Sequence, residues 1–99
     1  MLVVDDSRIV EVLKALADPI RLAIVRELQG GTRCACQLSE VAETTPSLLS
    51  YHLGILRDAG LVTSAKRGRW VDYTLDTVVF DDLVSSLVGG RHAPELVVP

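Results

Sequence analysis

"TPSLLSYHLGILRDAG", residues 45–60, sets the architecture of this chain. Thr45 followed by Pro46 is a cap-plus-proline start, Leu49, Leu53 and Leu56 recur at i, i+4 and i+7, and Gly60 ends the run. The segment predicts a helix with one apolar stripe, whose N-terminal end offers Ser47, Ser50, Tyr51 and His52. Just before it, "CQLSEVAE", residues 36–43, is long enough for about two helical turns and places Leu38, Val41 and Ala42 on one side. Two short helices joined by a tight turn form a helix-turn-helix, here residues 36–59.

The flanking segments complete the unit. "LVTSAKRGRWVDYTL", residues 61–75, changes period from 3.6 to about 2, with Val71, Tyr73 and Leu75 alternating against Trp70, Asp72 and Thr74. Gly68 sits where a hairpin turns, so the stretch predicts a two-stranded wing with Lys66, Arg67 and Arg69 at or near its tip. Upstream, "DDSRIVEVLKALAD" carries Ile9, Val12, Leu13 and Leu16 at helical spacing, a first helix over 6–17. Asp18 and Pro19 then start a second, "PIRLAIVRELQGG", apolar at Leu22, Ile24, Val25 and Leu28 and stopped by Gly30 and Gly31. Asp76 or Thr77 caps a last helix over 77–88 with a stripe of Phe80, Leu83, Val84 and Leu87. The order is α-α-α-α-β-β-α, a mainly α winged helix-turn-helix in one domain over 1–90. Residues 91–99 have no periodicity and read as a flexible tail.

Composition narrows the function. The 99 residues are 48% hydrophobic but only 4% aromatic, a Leu, Val, Ile and Ala core in a chain too small to cover all its apolar surface. A homodimer is the expected remedy. No apolar run reaches the ~18 residues of a membrane span, and acids at the N-terminus are unlike a signal peptide, so the expected location is cytoplasmic. The net charge of −3 is unevenly spread. Residues 44–75 carry four basic and two acidic side chains, while the rest carries six and eleven. One basic face in an acidic protein is suited to phosphate.

In a helix-turn-helix the second helix enters the major groove with its N-terminal residues at the base edges. That assigns Ser47, Ser50, Tyr51 and His52 to double-stranded DNA, with Lys66, Arg67 and Arg69 on backbone phosphate or the minor groove. A solvated helix face and a charged hairpin tip are the bland alternative, and the ordered series of capped helices and basic hairpin weighs against it. An adaptor that binds protein through its acidic outer helices would show no salt-dependent DNA affinity. An enzyme is not expected: Ser50 and His52, two apart on a helix, face different ways, and no phosphate-cradling glycine loop occurs.

From "LKALADPIRLAIVRELQGG" through "CACQLSE", "PSLLSYHLGILRDAGLV" and "GRWVDYTL", residues 9–88 resemble the ArsR/SmtB family of bacterial metal-responsive repressors. The resemblance implies a winged-helix homodimer with the first and last helices at the interface. It also implies a near-palindromic operator and release of DNA on binding a metal or metalloid. Ser47, Ser50 and His52 match the family's recognition-helix contacts.

The chain's two cysteines, Cys34 and Cys36, fall where thiolate sensors of that family carry Cys-x-Cys. In an extended or frayed first turn, residues i and i+2 point the same way, and two sulfurs then chelate one soft ion. A nearby helix N-terminus and Arg33 favour the thiolate, and a pair so close in sequence is a poor structural disulfide, consistent with free thiols in a reducing compartment. Three readings stay open: a site for As(III) or a similar thiophilic ion, a thiol redox switch, and small packed side chains. Arsenic(III) sensors carry a third cysteine where this chain has Ser39, and the N-terminal arm supplies none. Two thiolates suit an organoarsenical, or arsenite completed by another ligand. The family's second site, on the last helix, falls near Thr77, Val79, Gly90 and Ala93, which cannot ligate; His92, with Asp81, Asp82 and Glu95, reads as solvated. The leading expectation is a repressor released by As(III) at Cys34 and Cys36, with no cofactor required. The alternative is a winged-helix regulator, repressor or activator, without its own sensing and controlled by a partner protein or another signal.

Overall fold

A computed structural model describes residues 6–87. The elements are α1 (Asp6–Leu16), α2 (Pro19–Leu28), β1 (Arg33–Cys34), α3 (Ala35–Val41), α4 (Pro46–Asp58), β2 (Val62–Arg67), β3 (Trp70–Leu75) and α5 (Thr77–Leu87). The sequence order is met with one addition. The wing is a three-stranded antiparallel sheet of order β1-β3-β2, in which Arg33 pairs with Tyr73 and Cys34 with Asp72. Two residues of strand carry no readable period, so β1 escapes sequence inspection. The expected tail, with His92 and Glu95, lies outside the described residues.

The caps are those the sequence announces. The Asp18 carboxylate accepts from the backbone N–H of Ile20 at 2.9 Å and of Arg21 at 3.1 Å, and Thr45 Oγ1 accepts from Leu48 N–H at 3.2 Å. Asp76 Oδ1 accepts from Val79 N–H at 3.1 Å at the start of α5. α4 ends in a Schellman turn: Leu61 N–H donates to the Leu56 carbonyl at 3.0 Å and Gly60 N–H to that of Arg57 at 2.9 Å. Gly60 has φ +82°, and Leu56 and Leu61, the apolar pair that closes the motif, are fully buried.

One core holds the helices on the sheet. Val12 and Ala15 of α1, Ile24, Val25 and Leu28 of α2, Leu38 of α3, and Leu49, Leu53 and Leu56 of α4 meet Leu61, Val62, Leu75 and Leu83. Five expected inward residues are instead exposed: Leu13 on α1, Leu22 on α2, Val41 on α3, and Val84 and Leu87 on α5. Val10 and Val78 join them, so both outer helices present apolar side chains outward.

Candidate nucleic-acid interface and the cysteine pair

The exposed side of α4 is a stripe at helical spacing. Ser47, Ser50 and Tyr51 are all solvent-facing, Tyr51 at 62% exposure, and the open space around Gly54 continues the row one turn further. Hydroxyls can donate to or accept from base edges and phosphates. Leu48 is also outward at 49% exposure, unlike the other α4 leucines, and supplies an apolar surface of the kind that meets a thymine methyl. Sequence reading missed it, although Leu48 sits one residue off the i, i+4, i+7 stripe.

His52 departs from the expectation and is corrected here. It is 7% exposed and lies against the core, not on the outward stripe. Arg21 Nη1 lies 2.8 Å from His52 Nδ1, and a guanidinium only donates, so Nδ1 is the acceptor and the ring proton sits on Nε2. Arg21 Nε donates in turn to the Ala15 carbonyl at 2.6 Å, and the Asp18 carboxylate lies 3.9 Å from His52 Nδ1. A guanidinium thereby ties α1 and α2 to α4. The backbone bond from Arg21 lowers the Asp18 carboxyl most, desolvation opposes it, and the bond from Ile20 with the Arg21 charge leaves the carboxyl below its ordinary value.

At the wing, Gly68 has φ +64° and Arg69 does not share that sign, the pattern of a two-residue type II′ hairpin. Lys66, Arg67 and Arg69 are exposed around it. Arg67 forms a fork with Asp72, Nε to Oδ2 at 2.8 Å and Nη2 to Oδ1 at 3.0 Å. That hydrogen-bonded pairing lowers the Asp72 carboxyl and raises the already high Arg67. The Arg69 guanidinium lies 5.9 Å from the Trp70 ring centroid. Of the three cations, Arg67 is therefore the one already engaged by an anion.

Cys34 and Cys36 are joined in a disulfide with Cα atoms 5.4 Å apart, where free thiols were expected. The reason is local geometry. Cys34 is the N-cap of α3 in extended conformation, φ −78° and ψ 162°, and its sulfur turns back over the first turn towards Cys36. Cys34 Sγ accepts from Gln37 N–H at 3.4 Å while Cys34 N–H donates to Gln37 Oε1 at 2.9 Å, a capping box built on sulfur. Cys36 is exposed and Cys34 half-buried, so neither is a core residue. Arg33, expected to support a thiolate, donates to Glu27 Oε2 at 2.7 Å, and its charge is largely satisfied there. Among the described residues, no group of three His, Cys, Asp or Glu side chains could hold a metal ion.

A helix pair with an open polar stripe and a basic hairpin beside it defines a winged helix-turn-helix regulator of transcription, a DNA-binding class and not an enzyme class. Residues 18–64 match the family described as bacterial regulatory protein, arsR family. The arsenical resistance operon repressor of Bacillus subtilis (strain 168) is 49% identical over 73 residues, covering 73% of this chain and 70% of that protein. The repressor SmtB of Mycobacterium tuberculosis (strain ATCC 25618 / H37Rv) is 45% identical over 66% of this chain, an alignment spanning about half, 48%, of the relative. Among solved structures, HlyU from Vibrio cholerae N16961 superposes with a TM-score of 0.70 at 36% identity, over 82% of this chain and 91% of that one. The chain belongs to the arsR family of bacterial regulatory proteins. No helix among the described residues is long and apolar enough to cross a membrane.

Proposed function

We propose that this chain is a cytoplasmic homodimeric repressor that leaves its operator when Cys34 and Cys36, as thiolates, chelate As(III) or another thiophilic ion. The observation that carries the reading is the juxtaposition of the two sulfurs at the cap of α3, the helix preceding α4. Relatives named as arsenical resistance repressors support it. Ser47, Ser50 and Tyr51 read a near-palindromic double-stranded operator, and Lys66, Arg67 and Arg69 bind phosphate. Support for the dimer comes from the outward apolar residues of α1 and α5, Val10, Leu13, Val78, Val84 and Leu87, which a second copy would cover.

Ligation converts Cys34 from a cap into a ligand. The sulfur that accepts from Gln37 N–H is withdrawn, the first turn of α3 loosens, and α4 shifts with it. A coupling of about 1–3 kcal/mol is enough to change occupancy roughly 5- to 150-fold.

The bridge between the sulfurs favours a second reading, a thiol–disulfide switch at the same residues. Fluorescence anisotropy on labelled DNA from upstream of the protein's own gene separates the readings. The protein is first reduced with a phosphine, which does not compete for arsenic as a thiol would. Release by arsenite, lost in Cys34→Ser and Cys36→Ser variants that still bind DNA, is the expected result. Release by peroxide alone would favour the switch. Binding that neither reagent disturbs would leave a regulator governed by a partner protein.

A further inference from the structure

Trp70 takes no part in the core. In the register of β2 and β3, Val62 pairs with Leu75 and Ser64 with Tyr73, and Val62, Tyr73 and Leu75 lie against the core. Side chains alternate along a strand, so Trp70, Asp72 and the cross-strand neighbour Arg67 share the opposite, outward face. Trp70 is 47% exposed there. Its pairing with Arg67 is the last rung before the turn, and only Gly68 and Arg69 lie beyond it. Apart from chain neighbours, nothing among the described residues comes within 4 Å of a Cβ placed on Gly68, so the tip stands clear of the body of the domain.

A single exposed apolar side chain is ordinary on a protein surface, and cross-strand packing on Arg67 is the plain account of this one. Two observations weigh against it. The Arg67 guanidinium is turned along the sheet into its fork with Asp72, and the ring is instead accompanied by Arg69, whose guanidinium lies 5.9 Å from its centroid. The outermost part of the wing therefore combines a flat apolar ring with cations suited to phosphate. Duplex DNA presents that same combination at its minor groove, where apolar sugar edges line a cleft about 6 Å wide between two rows of phosphates.

We propose that Trp70 is a shape-reading contact to operator DNA: its indole enters the minor groove beneath the wing and rests on deoxyribose, while the wing's cations hold the phosphates alongside. This rests on the reading of the wing as a phosphate-binding element and names the residue that gives that element selectivity. The minor groove shows nearly the same acceptors for A·T and T·A, so base identity is not what the ring reads. It reads how readily the groove opens. A-tracts are stiff and narrow, whereas pyrimidine–purine steps such as TA and CA open and kink at low cost and admit an apolar wedge. Arginine alone has the opposite preference, because the potential of a narrow groove attracts it. Removal of the indole should therefore turn the preference of the wing around.

The chain has one tryptophan, so emission excited at the red edge of absorption, where tyrosine is silent, reports Trp70 alone. Acrylamide quenching is measured on the phosphine-reduced protein, free and bound to DNA from upstream of its own gene, and should fall severalfold on binding. Anisotropy then compares wild type with Trp70→Ala, Trp70→Phe, Arg69→Ala and Lys66→Ala. The operators carry either TA steps or an A-tract beneath the wing, at positions located by hydroxyl-radical footprinting. Trp70→Ala should bind the TA operator about tenfold more weakly, from loss of the ring's buried area, with the slope of log K against log salt unchanged. Trp70→Phe, which keeps an apolar ring, should recover most of that loss. Arg69→Ala should instead flatten the slope by about one unit. Wild type should favour TA and Trp70→Ala the A-tract. A ring quenched equally in free and bound protein, or a step preference that survives Trp70→Ala, overturns the proposal, even where affinity falls together with the urea midpoint. A flattened slope in Arg69→Ala would then leave phosphate binding by the wing standing. Unchanged affinity and slope in both Arg69→Ala and Lys66→Ala overturns that reading of the wing, and the role of Trp70 with it.

Discussion

Replacing His52 by alanine tests the placement of its imidazole most directly. The change strands Arg21 Nη1, a charged donor that now has its acceptor at 2.8 Å, beside a helix face that is only 7% exposed at this residue. A hydrogen bond to a charged group contributes about 1.5–3 kcal/mol, and the vacated ring volume adds to the loss, so about 2–3 kcal/mol of stability should disappear. In a domain of this size that lowers Tm by roughly 10–20 °C. The assay is urea and thermal unfolding at one fixed protein concentration, because the stability of a dimer depends on it. His52→Ala and Arg21→Leu should be non-additive, with a coupling of about 1–2 kcal/mol between residues in direct contact. Ser50→Ala, on the exposed stripe, should stay within about 0.5 kcal/mol of wild type. If His52→Ala keeps its unfolding midpoint, shows no coupling to Arg21 and instead loses discrimination at one operator base pair, the imidazole reads DNA and the burial reasoning fails.

Three further outcomes are expected. Gly60→Ala should cost about 1–2 kcal/mol in urea unfolding, since φ is +82° there and the added Cβ meets the Arg8 guanidinium; an unchanged midpoint would contradict the Schellman geometry. Asp72→Asn frees Arg67 and removes a negative charge from the wing, so DNA affinity should rise and the slope of log K against log salt should steepen by up to about one unit; weaker binding would mean that the Asp72 fork aims Arg67 at phosphate. Asp18, whose folded pKa lies below its unfolded one, contributes stability that is present above the ordinary carboxylate range and is lost as pH falls through the lowered value. Wild type should thus lead Asp18→Asn near neutral pH and the two should converge as pH falls through the lowered value, whereas a constant gap would show that Asp18 titrates normally.

Much of this was legible in the chain itself. α2 and α4 announce both ends, with Asp18-Pro19 and Thr45-Pro46 at the starts and glycines after the stops, and their apolar stripes agree with the caps. Lys66, Arg67 and Arg69 lie at the hairpin tip because a basic tripeptide around Gly68 leaves few other arrangements. β1 was invisible, since two residues have no period and their strand character comes from pairing with β3. His52 was assigned by chemistry where geometry should have ruled: it is three residues after Leu49 and four before Leu56, on the inward stripe. The sulfur cap on α3 was illegible for another reason, because cysteine is not among the residues that ordinarily begin helices. Glu43, at φ +52° between α3 and α4, likewise occupies a left-handed turn position without the glycine that would mark it.

The cysteines sit at a strand-to-helix junction, one exposed and one half-buried, while the residues of the buried core are elsewhere. The thiol pair and the core are thus carried by separate residues in this chain. Exchange of either sulfur touches the cap of α3 and removes no core side chain, whereas the Leu38, Leu49, Leu53 and Leu56 framework beneath tolerates far less. A laboratory library confined to residues 34, 36, 37 and 39 therefore varies the chemistry at this junction while leaving the core intact.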